Sequence, residues 1–209
     1  MKIAVICANG KAGKLIVNEA KNRGLDVTAV VREENKTVAQ NVLIKDLFDL
    51  TAADLTGFDV VIDAFGAWTE DTLPQHSTSL KHLCDILSGT NTRLLVVGGA
   101  GSLYVNPEHT AVVSDGADFP DIFKPLAAAM AKALSELRLR NDVKWTYLSP
   151  AGDFRADGER TGKYILGGEE LTLNSKGESV ISYADYAIAM IDEAVNGNNI
   201  QKRISVVAE

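Results

Sequence analysis

The feature that most constrains this chain lies at its start. An unbroken apolar run, IAVIC over residues 3–7, leads directly into the turn ANGKAG and then into a helical pattern over 11–23. A run without polar alternation is buried on both faces, which suits the centre of a parallel sheet better than a half-solvated antiparallel strand. Within 11–23, Ala12, Leu15, Ile16 and Ala20 share one stripe, and Gly24 ends the pattern. Strand, glycine-bearing turn and helix in immediate succession set unpaired backbone N–H groups and the positive end of a helix above the strand. That arrangement suits an anion such as a phosphate.

The alternation continues along the chain. Apolar runs predict strands over 26–32, 41–45, 59–66, 93–99 and 143–149. Helices are expected over 76–88, with Leu80, Leu83, Cys84 and Leu87 inward, and over 124–140. Repeated β-α-β steps with right-handed crossovers imply a parallel sheet with helices on both faces. The expected fold is α/β, a Rossmann-like doubly wound parallel sheet of order 3-2-1-4-5-6. Its ligand crevice should lie beside strands 1 and 4, where the order reverses. The chain reads as a single domain with a core over 1–150. From Pro150 the sequence is richer in glycine and charge, with strand-like pieces at GKYIL and ELTLN, a helix over 182–196 and a strand over 203–208. Residues 151–209 are too few for a core of their own. They are expected to form a small C-terminal substrate lobe with a closing helix and strand.

Composition narrows the function classes. With 209 residues and 46% hydrophobic content, the chain can bury a core without disulfides or metals. Cys7 and Cys84 read as small buried hydrophobes. A net charge of -7 argues against nucleic acid or anionic membranes as partners. The first apolar run ends in a glycine turn rather than a cleavage pattern, and no stretch reaches membrane-spanning length, so the expected location is cytoplasmic. His76, His82 and His109 are scattered, so no metal site is expected. No Ser-His-Asp arrangement or nucleophile elbow is present.

The turn itself carries the clearest chemistry. Asn9, Gly10, Lys11, Ala12 and Gly13 form the candidate phosphate loop. Gly10 permits close approach of a pyrophosphate, and Gly13 lets the helix pack on the sheet. A G-x-x-G-x-x-G turn would have glycine where Cys7 stands, so Cys7 must hold a backbone conformation that favours glycine or carry strain. An NAD site places an acid at the end of the second strand. Here the strand ends in Val31-Arg32. Arginine suits a 2′-phosphate, and Lys11 offers a second cation, so NADP(H) is preferred and NAD(H) is the other candidate. Glu33 and Glu34 weaken this preference, and Arg32 as a solvated strand-end charge is the competing reading.

The segment CANGKAGKLIVNEAKNRGLDVTAVVR resembles the opening of the atypical short-chain dehydrogenase/reductase group. It is most similar to the NAD(P)H-binding, NmrA-like branch described as NADH-flavin or flavin/biliverdin reductases. KDLFDLT (45–51), DAFGAW (63–68), VVGGAGSLYV (96–105), FKPLAAAMAKALSEL (123–137), WTYLSPAGDF (145–154), GERTGKY (158–164) and ISYADYAIAMIDE (181–193) extend the likeness along the chain. The resemblance implies that Asp46 and Leu47 border the adenine. Ala64, Phe65 and Gly66 would meet the ribose and pyrophosphate, and Gly98 and Gly99 would face the nicotinamide. Of the family's Tyr-x-x-x-Lys pair, Lys132 takes the lysine position, as the one candidate catalytic residue, and Ala128 stands for the tyrosine. Gly98-Gly99-Ala100-Gly101 precedes Ser102, which leaves the superfamily's serine without a clear counterpart. Lys132 as a solvated helix lysine is the alternative.

Without a phenolic acid, hydride transfer to a flavin, quinone or related flat acceptor is the expected chemistry, because such acceptors delocalise the incoming charge. Trp68, Tyr104 and Phe154 are the aromatic candidates for stacking this small molecule, and each could equally pack in the core or a lid. A monomer or homodimer is expected. A non-enzymatic dinucleotide sensor is the alternative function. A sugar-nucleotide epimerase is a third, which would call for the tyrosine and a larger substrate lobe.

Overall fold

The structure, a computed structural model, describes residues 1–209. Its strands are β1 (Lys2–Ile6), β2 (Asp26–Val31), β3 (Asn41–Ile44), β4 (Val60–Asp63), β5 (Arg93–Val97), β6 (Lys144–Ser149), β7 (Asp153–Arg155), β8 (Tyr164–Gly167), β9 (Val180–Ser182) and β10 (Lys202–Ala208). Its α-helices are α1 (Lys11–Asn22), α2 (Gln75–Leu87), α3 (Lys124–Leu137) and α4 (Tyr183–Asn196). The main sheet has the order β3-β2-β1-β4-β5-β6-β10-β8. All its pairings are parallel except β10 with β8. The expected order 3-2-1-4-5-6 is present, with the reversal at β1, which pairs with β2 on one side and β4 on the other.

The sheet separates two cores, and β1 explains both. Ile3 and Val5 face the layer that contains α1 and α4, whereas Ala4 and Ile6 face the layer that contains α2 and α3. Side chains alternate across a strand, so a strand covered by helices on both sides must be apolar at every position. None of these four residues is more than 1% exposed. The two core layers therefore account for the unbroken run.

The C-terminal part departs from expectation. Helix α4 does not close a separate lobe. It packs beside α1, and Tyr186, Ala187, Met190 and Ile191 are buried in the same core as Ile16 and Val17. Strand β10 extends the main sheet next to β6. The helix is well delimited. Ser182 Oγ accepts from Asp185 N at its start, an arrangement that stabilises by about 1 kcal/mol, and Gly197 in the left-handed region (φ 67°) ends it. What stands outside the sheet lies between β6 and α4. It carries the short parallel ladder of β7 and β9, which has too few residues to show as a pattern in sequence. GKYIL supplies β8, whereas ELTLN forms no strand, only a bridge between Glu170 and Tyr104. The loop before β8 is anchored on the α1–α4 layer: buried Asp185 accepts from Thr161 N, Thr161 Oγ1 and Gly162 N, and Arg160 pairs with Glu19 at 3.1 Å. No helix is long and apolar enough to cross a membrane.

Candidate functional site

The carboxyl ends of β1, β4 and β5 lie side by side at the reversal of strand order. At the end of β1 the chain turns through Cys7, whose φ of 57° lies in the left-handed region. Such a conformation costs a non-glycine residue about 1–3 kcal/mol. Hydrogen bonds from Gly10 N to Cys7 O (3.0 Å) and from Ala8 N to Val30 O (3.2 Å) hold it in place. Burial, with Asp63 nearby, pushes the Cys7 thiol up to about 12, so this cysteine is not a thiolate nucleophile.

Gly13 is fixed by contact. A Cβ there would stand 2.8 Å from Cys7 O and 2.9 Å from Ala8 Cα, both backbone atoms that cannot step aside. Gly10 is the N-cap of α1, with no side-chain cap and no acidic residue in the first turn. The N–H groups of Lys11, Ala12 and Gly13 are thus left for an external acceptor, as an anion site at a helix start requires. The turn fits a dinucleotide pyrophosphate on these grounds. Asn9 acts differently from the other loop residues. Its side chain donates to Glu34 O (2.9 Å) and accepts from Lys36 N (2.8 Å), which ties the turn to the loop after β2.

At the end of β2, Arg32 extends into solvent, with Nε 3.9 Å from Asp46 and a side chain 76% exposed. Lys11 is exposed nearby in sequence to the turn. Asp46 caps a short 3-10 turn by accepting from Phe48 N at 2.9 Å. Leu47, expected beside the adenine, is instead a core residue only 4% exposed, which leaves Asp46 as the accessible member of that pair.

At the end of β4, Asp63 is buried and accepts from Phe65 N at 3.0 Å. Burial pushes its carboxyl up to about 6, and the Phe65 hydrogen bond opposes that shift. Ala64 and Phe65 are partly exposed and Gly66 is exposed. The Trp68 indole covers Gly66, because a Cβ at Gly66 would lie 3.5 Å from Nε1. Trp68 is 70% exposed. His76 Nε2 sits 3.1 Å from Ala67 O, and burial pulls the His76 pKa down.

At the end of β5, Gly98 and Gly99 are required by their packing. A Cβ on Gly98 would enter the Tyr147 ring (2.3 Å), and one on Gly99 would meet Met130 Sδ at 2.9 Å. Tyr147 is buried, accepts from Gly99 N at 3.2 Å, and has its hydroxyl pushed up to about 12 by burial. Beside these turns lies a small, partly open space of about 20 Å³, lined by Asp63, His76, Ser79 and Tyr147 among others. Ser79 Oγ has no protein partner. The space has room for one water, which the polar groups around it would hold.

Several expected residues sit elsewhere. Lys132 points to solvent, 70% exposed and 3.8 Å from Glu136, one turn on along the helix. The α3 residue that meets the end of β5 is Met130, because the face carrying Ala133, Leu134 and Leu137 turns inward and Lys132 lies off it. Tyr104 has one ring face stacked on His109 at 4.1 Å, and the Arg203 guanidinium lies 5.5 Å from its centroid. Phe154 stacks on Tyr183 at 3.8 Å and tilts against Tyr186, in the α4 layer. Only Trp68 among the three aromatics has no aromatic neighbour. Sequence reasoning missed Asp63, Met130 and Tyr147. A carboxylate closing the apolar run VVID was the one visible signal among them.

The family follows from the match of the chain to known proteins. An NAD(P)H-binding family profile matches residues 7–194. The chain belongs to that NAD(P)H-binding family. It is an atypical, NmrA-like member of the short-chain dehydrogenase/reductase group, as its segments implied. It is 45% identical over 212 residues to the uncharacterised YwnB of Bacillus subtilis strain 168, covering 100% of this chain and 99% of that one. It superposes with a TM-score of 0.98 and 57% identity on SP1627 of Streptococcus pneumoniae TIGR4, named a "putative NADH-flavin reductase", over 100% of both chains. A Bacteroides thetaiotaomicron protein named a "putative epimerase" matches with a TM-score of 0.86 and 35% identity, over 99% of this chain and 96% of that one. The names of these relatives divide between two chemistries, so the reaction has to be argued from the site.

Proposed function

We propose that this protein is an NADP(H)-dependent oxidoreductase that passes hydride to a flat conjugated acceptor of the flavin or quinone kind. The observation that supports this reading is the burial of the phenols at the end of β5. The phenols there are both buried: Tyr147 accepts from Gly99 N, and Tyr186 donates to Leu148 O. Lys132 faces solvent, and Ala128 is the residue that the resemblance sets at the family's tyrosine position. Reduction of a ketone needs a proton as the alkoxide forms, and a positioned acid contributes about 10²–10⁴-fold. A conjugated acceptor spreads the charge and takes its proton from water.

The bound dinucleotide would supply the hydride. The turn Gly10–Gly13 would hold its pyrophosphate, Arg32 and Lys11 its 2′-phosphate, and Ala64–Gly66 its ribose, with Gly98 and Gly99 behind the nicotinamide. Trp68 beside Gly66 supports a stacked acceptor, as a free aromatic face at the crevice rim. The name of the pneumococcal relative agrees with this reading. NADPH oxidation should be followed with FMN, riboflavin, a benzoquinone and an aliphatic ketone. Turnover with the first three and none with the ketone is expected. Efficient ketone reduction would overturn the acid-free reading. Tight NADPH binding with no turnover on any acceptor would favour the sensor.

A further inference from the structure

An open groove of about 430 Å³ runs along the flank of α3, and its lining includes none of the residues assigned to the dinucleotide. One wall is the helix stripe from Lys124 through Ala131 to Arg138. The other is the loop after β5 at Ser102 and Tyr104, and Arg203 of β10 lies between them. The volume falls in the range of small-ligand sites.

The charge here opposes that of the molecule. The chain carries a net -7, yet three cations line this one groove. Arg203, with its side chain only 1% exposed, donates from Nε to Glu169 Oε2 (2.8 Å) and from Nη1 to Ser102 O (2.8 Å) and Ser102 Oγ (3.0 Å). Arg138 Nη2 donates to the same Glu169 oxygen at 2.6 Å. One carboxylate therefore serves two guanidinium groups and leaves a positive charge over. Lys124 pairs with Asp121, which is 92% exposed. Ser102 Oγ accepts from Arg203, so its own hydrogen is free to donate. Alanine and leucine side chains complete an apolar wall beside this positive edge.

We infer that this groove is a second binding site, for a small organic anion: a flat apolar body carrying one carboxylate, sulfonate or phosphate group. The anion lies against Arg138 and the Ser102 hydroxyl, which Arg203 and Glu169 bring together, and the body lies along Ala131 toward Lys124. The site is separate from the dinucleotide crevice and does not depend on the chain being a reductase.

The probe is 8-anilinonaphthalene-1-sulfonate, titrated by fluorescence into folded protein saturated with NADP⁺. One saturable site is expected. N-phenyl-1-naphthylamine, with the same rings and no sulfonate, should bind about tenfold more weakly, the effect of one charge-assisted contact. Arg138→Ala should weaken the sulfonate several-fold and leave the neutral analogue unchanged, whereas Lys124→Ala, at the other end of α3, should change sulfonate binding less than about twofold. Ala131→Phe should fill the groove and abolish probe binding, with NADP⁺ affinity unaltered. Equal affinity for the two probes, unchanged sulfonate binding in Arg138→Ala, or displacement of the probe by added NADP⁺ would each overturn the assignment.

Discussion

Asp63→Asn tests the reading of the β4 terminus most directly. Asp63 is 4% exposed and its carboxyl, ordinarily near 3.8, is pushed up to about 6 by burial. The neutral form is therefore the one the fold prefers. The stability associated with this group is fully present below pH 4, declines as pH rises through 6, and is gone above pH 7. Two pKa units correspond to about 3 kcal/mol, which is the upper limit for the penalty of holding the ionised group at pH 8. Asparagine keeps the oxygen that accepts from Phe65 N and removes the charge. Its added N–H₂ must find a partner in the space beside Ser79, so part of the gain is returned. The expected result is a variant whose Tm exceeds that of the native protein by several degrees at pH 8, with the difference vanishing near pH 4. The assay is thermal unfolding of both proteins at matched ionic strength from pH 4 to 8. The quantity to read is the difference between them, because Asp54 and Asp142, whose hydrogen bonds hold them below the usual carboxylate range, lose their protons at lower pH in both. A difference that stays flat across this range, or a variant less stable at pH 8, would refute the argument that burial dominates at Asp63.

Gly13→Val should abolish NADPH binding and cost about 1–3 kcal/mol of stability, because the new side chain meets backbone at Cys7 and Ala8; a folded variant with native affinity by calorimetry would show that the phosphate turn is misplaced. Arg32→Ala should weaken NADPH about tenfold or more while altering NADH less than about threefold, since only the former carries the 2′-phosphate. Equal losses for the two cofactors would remove Arg32 from that role. Lys132→Ala, by contrast, should change kcat and KM by less than about twofold, given its exposure and its partner Glu136; a large fall in kcat would mean that the helix turns this residue toward the crevice when the cofactor binds.

The sheet was legible because its code is short-range. A strand buried on two sides is apolar along its middle, and Ile3–Ile6 of β1, Val60–Ile62 of β4 and Leu94–Val97 of β5 are, with Asp63 and Arg93 as buried polar residues at strand ends. Gly13 could be singled out for the same reason: strand, turn and helix stand next to one another in the chain. The errors came where one pattern serves two structures. Helix α4 is as amphipathic as a lid would be, and only its packing against α1 shows that it belongs to the core. Lys132 rests on the resemblance alone, and counting along a motif cannot say which way α3 is rotated. Met130 against Gly99 can. Tyr104 and Phe154 look like free aromatics in sequence, yet each has a ring partner, His109 for one and Tyr183 for the other. Such pairings join distant segments and leave no periodic trace.

The place of β10 has a consequence for how the chain reaches this structure. Strand β8 is made before β10 but pairs with no other strand of the sheet, and the outer edge of β6 is covered only by β10. As the chain is synthesised, β6 must therefore wait with its backbone groups unpaired while the whole of 150–201 is added. An open edge of this kind recruits strands from other molecules. The vulnerable species is the nascent chain that has completed α3 and β6 but lacks residues 202–208. Slow translation or proteolysis in that interval would favour aggregation, even though the finished fold keeps this edge covered.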